Sequence, residues 1–190
     1  LDVIFTNYFD SDNNIDENFT KYCGVTSVSI PNSVVSIGRS AFRNCRNLIS
    51  ISVPNSVSTI GRSAFSACSK LTSLNLPNSI TIVESYLCRG CSSLNSITIP
   101  NSVTYIRYSA FSGCHSLKFV VIPNSVTRIG GHAFAFCKGL TSITIPDSVL
   151  DIDNSILPDC ENLSEIINYA RVPQTLRPYK VFSNLNTAKC

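Results

Sequence analysis

Six prolines stand at one fixed interval: Pro31, Pro54, Pro77, Pro100, Pro123 and Pro146 are each 23 residues apart. Six cysteines keep the same step, from Cys45 through Cys68, Cys91, Cys114 and Cys137 to Cys160. Asn32, Asn55, Asn78, Asn101 and Asn124 follow the prolines, Asp147 takes the sixth place, and a Ser comes next each time. A unit this short cannot bury its own apolar face. It becomes stable only when successive units stack and turn their apolar stations into continuous columns. One column runs Leu48, Leu71, Leu94, Leu117, Leu140 and Leu163; the next runs Ile51, Leu74, Ile97, Val120, Ile143 and Ile166; Val53, Leu76, Ile99, Ile122 and Ile145 form a third.

The L-x-x-L-x-L spacing predicts a period-2 strand. Pro-Asn-Ser predicts a turn, with Pro fixing φ and the Asn and Ser side chains bonding their own backbone. A second short extended piece follows, with Val57 and Ile60 inward, and an Ala-Phe pair such as Ala64-Phe65 suits a short helical turn packing back on the strands. The predicted fold is therefore a repeat solenoid: a right-handed superhelix of 23-residue coils, mainly short parallel β-strands with short helical turns. Coils about 4.8 Å apart give a rod roughly 30 Å long. Residues 1–21 read as an N-terminal cap, 22–168 as six to seven repeats, and 169–190 as a C-terminal cap and tail.

The strand signature resembles leucine-rich repeats, and the full unit, I-P-N-S-V-x-x-I-G-x-x-A-F-x-x-C-x-x-L-x-S-I, is similar to the BspA-like (Treponema pallidum-type) leucine-rich repeat family over residues 22–168. The resemblance implies a cell-surface or secreted protein of adhesive or protein-binding function, with no catalytic residue. Two departures from the pattern stand out. Cys88 occupies the column of Phe42, Phe65, Phe111 and Phe134, and Glu84 and Arg107 replace the Gly that follows the second strand.

Nine cysteines in 190 residues raise the question of a disulfide framework. Equivalent residues on adjacent coils have parallel Cβ vectors about 4.8 Å apart, longer than the roughly 3.8 Å of a disulfide. The six in-register cysteines are therefore expected as small buried hydrophobes. Cys88 and Cys91 make a C-x-x-C, but zinc needs four ligands and no second pair exists. Cys23, Cys88 and Cys190 are left as the thiols whose state the spacing does not define.

The chain is 44% hydrophobic and 14% charged, enough apolar material for a core and no polar low-complexity tract. No apolar run reaches the roughly 20 residues of a membrane span. The chain opens on Leu1 with no basic start before an apolar stretch, as expected of a processed or excised piece. His115 and His132 sit at non-equivalent stations, and no catalytic constellation can be assembled around them, so no enzyme activity, cofactor or metal is expected.

Charge is unevenly placed. Residues 21–140 hold 11 Lys or Arg and a single acid, Glu84, whereas residues 1–20 and 141–170 hold five and six acids and no base. A basic middle favours anionic glycans or acidic proteins as partners, and the acidic end offers head-to-tail self-association. No motif supports a specific nucleic-acid reader. The outward face of the main strands is rich in Ser and Thr except in one coil, which carries Phe119 and Val121. Together with Tyr105, Arg107, Tyr108 and Arg128 these form the candidate binding patch. Asn18-Phe19-Thr20 and Asn162-Leu163-Ser164 are candidate glycosylation sequons. The expected function is an extracellular or cell-surface binding module for a protein or anionic glycan. The alternative is a structural scaffold subunit in a filament or larger assembly.

Overall fold

A computed structural model describes residues 2–4, 14–16, 24–153, 155–170 and 175–176. Short strands follow one another as β1 (Asp2–Ile4), β2 (Asn14–Ile15), β3 (Ser27–Ser29), β4 (Ser36–Ile37), β5 (Ser50–Ser52), β6 (Thr59–Ile60), β7 (Ser73–Asn75) and β8 (Ile82–Val83). They continue as β9 (Ser96–Thr98), β10 (Tyr105–Ile106), β11 (Arg128–Ile129), β12 (Ser142–Ile145), β13 (Asp151–Ile152), β14 (Glu165–Asn168) and β15 (Thr175–Leu176). The coils give their strands to two strips, and the coil of residues 117–122 alone gives the first strip no strand. The first strip is β1-β3-β5, β7-β9 and β12-β14; the second is β2-β4-β6 and β8-β10-β11-β13-β15. Every pairing is parallel, and Ser27↔Ser50, Ser73↔Ser96 and Tyr105↔Arg128 show the 23-residue step directly. Toward the ends the step changes: Asp2 pairs with Ser27, Asn14 with Ser36 and Asp151 with Thr175.

Between the strips lies one continuous core. The Leu column from Leu48 to Leu140 is fully buried, as are Val57, Ile106, Ile129 and Ile152, while Val53, Ile97, Leu163 and Ile166 pack at its margins. Burying such a side chain contributes about 1.5–3 kcal/mol. In four turns the Ser differs from expectation: Ser79, Ser102, Ser125 and Ser148 donate to the carbonyls of Val57, Ile80, Val103 and Val126 on the preceding coil rather than to their own turn, while Ser56 Oγ is buried without a partner among the described residues. The turn itself is closed by the backbone, as in Val103 N–H to Pro100 O at 3.0 Å. The Ser is thus a stacking device as well as a turn former.

The segment after the second strand is not helical, and no helix occurs among the described residues. Ser40, Phe42 and Asn44 donate to the next coil, to Arg62, Ala64 and Ser66 carbonyls at 3.0, 2.8 and 2.8 Å. Ala41, Arg43 and Cys45 close local turns onto Gly38, Ser40 and Phe42. Alternate amides therefore point along the rod axis, which a helix forbids because it keeps its N–H groups to itself. Two residues per coil take left-handed backbone to achieve this: Ser40, Ser63, Tyr86, Ser109, His132 and Ser155 in one column, and Asn44, Ala67, Gly90, Gly113, Phe136 and Asp159 in the other.

Two substitutions inside this segment compensate each other. Phe42 stacks on Phe65 at 5.4 Å between centroids and Phe111 on Phe134 at 5.6 Å, and Cys88 stands between the two pairs. The neighbouring column reads Ala41, Ala64, Leu87, Ala110 and Ala133, all fully buried. The coil with Cys for Phe thus has Leu for Ala, and the missing volume has moved one position along the chain.

The cysteine ladder is buried and largely reduced. Cys68, Cys91, Cys137 and Cys160 donate to the carbonyls of Phe42, Phe65, Phe111 and Phe134, and Cys114 to that of Cys88. Each thiol so reaches back one coil to a carbonyl that already accepts one backbone bond. Burial pushes the Cys114 and Cys137 thiols well up and Cys160 to about 11. Cys88 and Cys91 are free, fully buried thiols. Cys45 corrects the expectation, because it is disulfide-bonded. The spacing argument holds within the column, where the other five rungs are free thiols; Cys23 and Cys190 lie outside the described residues.

Two outcomes follow. Cys88→Phe alone overpacks the core and costs about 1–3 kcal/mol; adding Leu87→Ala recovers most of that loss in a double-mutant cycle read by urea denaturation. The buried thiols keep their protons above the unfolded value of about 8.5, so the stability they contribute is full below that pH and is lost as pH rises through it. The urea midpoint should therefore fall steeply above about pH 9, and a level profile there would contradict the ladder's burial.

Candidate functional site

The coil geometry distributes the six candidate binding residues over three surfaces. Phe119 and Val121 face outward from the first strip, 60% and 71% exposed. Phe119 stands in a row that otherwise holds Ser27, Ser50, Ser73, Ser96 and Ser142 before ending on Glu165. Its coil contributes no strand to that strip, only an isolated bridge from Val121 to Thr144. The apolar pair therefore sits at a gap in the hydrogen-bonded strip.

Tyr105, Arg107 and Arg128 belong to the second strip and its edge. Cross-strand register stacks Ile82, Tyr105, Arg128 and Asp151 in one outward row. Arg128 lies over the Tyr105 ring at 4.9 Å and Arg107 at 5.5 Å. Arg128 also reaches Asp153 through Nη2 at 3.2 Å and Asp151 through Nε at 3.0 Å. The Nε contact is an ion pair without hydrogen-bond alignment. Partial burial opposes the charge on Arg128, but the hydrogen bond to Asp153 and the field of its neighbours outweigh it and raise the pKa. Arg107 pairs with Glu84 at 3.2 Å. The two residues that displaced glycines thus neutralise each other. Both arginines are committed inside the protein, Arg107 to Glu84 and Arg128 to Asp151 and Asp153. Further along, Lys138 pairs with Glu161 at 2.7 Å, which raises the lysine pKa.

Tyr108 lies on the third surface, the ridge formed by the left-handed turns. Its ring meets Tyr86 and His132 edge-on, each at 5.4 Å between centroids. Arg62 lies 4.7 Å and Arg89 5.6 Å from the Tyr86 centroid. With Ser109, Ser112, Ala135 and Phe136, the residues Tyr86, Arg89, Tyr108 and His132 line a depression of about 260 Å³. Tyr86, Arg89, His132 and Phe136 were missed by sequence reasoning, because the contacts run diagonally between different columns of successive coils. The signal that could have found them is the placing of Tyr86 and His132 in a column otherwise held by Ser, and of Phe136 in one otherwise held by Asn44, Ala67, Gly90, Gly113 and Asp159.

Asn162 is exposed, and its Nδ2 donates to the Lys138 carbonyl at 2.8 Å; Asn18 lies outside the described residues. Among the described residues no cluster of His, Cys, Asp and Glu could hold a metal ion, and no helix is long and apolar enough to cross a membrane.

The repeat geometry agrees with comparison to known proteins. The pattern of the BspA-type leucine-rich repeat region matches in six copies, over residues 13–140 and 106–188. The chain belongs to this family. A leucine-rich repeat protein of T. pallidum is similar at 32% identity and a TM-score of 0.68, with 78% of each chain covered. A leucine-rich repeat protein of Bacteroides ovatus is 32% identical with a TM-score of 0.65, covering 74% of this chain and 45% of that one. No curated protein matches.

The ion-pair assignment has a direct consequence. Arg128→Gln leaves Asp151 and Asp153 adjacent without their cation, and costs about 1–2 kcal/mol after allowance for solvent screening. High salt should narrow the difference from the native chain in urea titrations.

Proposed function

We propose that the chain is a non-catalytic recognition module of a cell-surface or secreted protein, mediating adhesion through protein or glycan binding. The observation that carries this reading is the exposed Phe119–Val121 pair, set in a rigid hydroxyl-rich face where the adjacent coils place Ser96 and Thr98 on one side and Ser142 and Thr144 on the other. Large apolar groups amid polar surroundings act as binding anchors, since a partner that covers them gains burial energy at small entropic cost. The disulfide at Cys45 supports an oxidising, extracellular setting. So does the likeness of the repeat unit to surface and secreted proteins of this family.

The mechanism is shape plus anchors. The coil ladder fixes the backbone in advance, so little conformational freedom remains to be lost on binding. The excess of cations over residues 21–140 steers negatively charged partners toward the rod.

The test is surface plasmon resonance of the monomer against immobilised matrix proteins, with Phe119→Ser/Val121→Ser as the variant. Each substitution should change stability by no more than about 0.5 kcal/mol, while the pair loses about 2 kcal/mol or more of binding energy. Unchanged binding removes the anchor assignment. Concentration-dependent self-assembly in light scattering, with no binding to any immobilised partner, replaces the recognition reading with the scaffold one.

A further inference from the structure

We propose that the turn ridge carries a subsite for a sulfated oligosaccharide, with Tyr86, Tyr108, His132 and Phe136 as the sugar platform and Arg62 and Arg89 as the sulfate clamp. This deepens the recognition reading and rests on it, but it uses a surface distinct from the Phe119 anchor.

Backbone strain is the first observation. Tyr86, His132 and Phe136 have φ of 60°, 58° and 57°. A bulky side chain in left-handed backbone costs roughly 1–2 kcal/mol. The same stations on other coils hold Ser40, Ser63 and Ser109, or Gly90 and Gly113. Three aromatic rings are thus held in unfavourable positions, and all three line one depression. Left-handed backbone recurs on every coil, but only here does it carry aromatic rings, and the three converge on one hollow.

The chemistry of the depression is the second. Tyr86, Tyr108 and His132 form an unbroken edge-to-face series, and Tyr108 and Phe136 are 44% and 45% exposed. Ser109 and Ser112, both buried polar residues, line the same hollow. Aromatic faces over a polar floor match a pyranose ring, which presents C–H groups on its face and hydroxyls at its rim.

Charge is the third. Arg107, Arg128 and Lys138 all have carboxylate partners. Arg62 and Arg89 have none among the described residues and rest on the Tyr86 ring, which leaves their N–H groups directed at solvent. Exposed Arg39 and Arg46 continue the ridge on the preceding coil. Between residues 21 and 140 the only acid is Glu84, already engaged by Arg107. Guanidinium groups in this state bind sulfate through paired N–H···O bonds. Coils about 4.8 Å apart advance at nearly the step of one sugar residue, so a glycan lying along the ridge meets one coil per residue.

The test is isothermal titration of the purified chain with a heparin dodecasaccharide. Its arms are the fully desulfated dodecasaccharide and a single-stranded oligonucleotide of equal charge. Phe136→Gly should leave the melting temperature level or raised, as Gly90 and Gly113 already occupy that column, yet weaken binding. Arg89→Gln should weaken it roughly ten-fold, whereas Lys118→Gln, an equal charge lost from the first strip, should change it less than about two-fold. Absence of binding by the native chain overturns the proposal, as do equal losses in all three variants or equal affinity for the desulfated chain or the oligonucleotide. Because matrix-protein binding through Phe119 and Val121 is read separately, failure here leaves that assignment standing.

Discussion

Everything in this molecule hangs on the backbone hydrogen bonds that join one coil to the next at a step of 23 residues. They fix the distance between coils, and with it which side chains become neighbours. A Ser in one turn can reach a carbonyl on the preceding coil only because the step is constant. A Cys thiol finds a carbonyl of the previous coil's Phe for the same reason. Side chains do not choose their contacts freely here; they inherit them from the ladder. Stability is then close to a sum of coil energies and nearest-neighbour interfaces.

The inward columns were legible because burial tolerates only a few residue types, so they repeat visibly at Leu71, Leu94 and Leu117. The turn conformation was not. An Ala-Phe pair followed by Cys is compatible with a helical turn, and nothing in the residue types at Ser63 or Ala67 announces a left-handed backbone. The aromatic ridge stayed hidden with it, since Tyr108 meets His132 and Arg62 meets Tyr86 only once that backbone is known. Of the candidate patch, the exposure of Phe119 and Val121 was readable from a row of serines. The engagement of Arg107 and Arg128 by acids was not, because their partners lie about one coil away in sequence.

The departures from the repeat pattern occur together rather than singly. Glu84 and Arg107 replace two glycines and bond each other. Leu87 and Cys88 exchange bulk within one coil. A solenoid makes such pairings easy, because each residue has equivalent neighbours directly above and below, and a change on one rung is felt first by the next. The cost is that an uncompensated change is felt there too.

The bridge at Val121 marks where this regularity lapses. From β9 to β12 the first strip passes through a coil that gives it no strand, while the second strip runs on unbroken through β10 and β11. At that level the rod is laced by paired strands on one side and by a single bridge on the other, so the coil of Phe119 is tied to its neighbours chiefly through the second strip and the core.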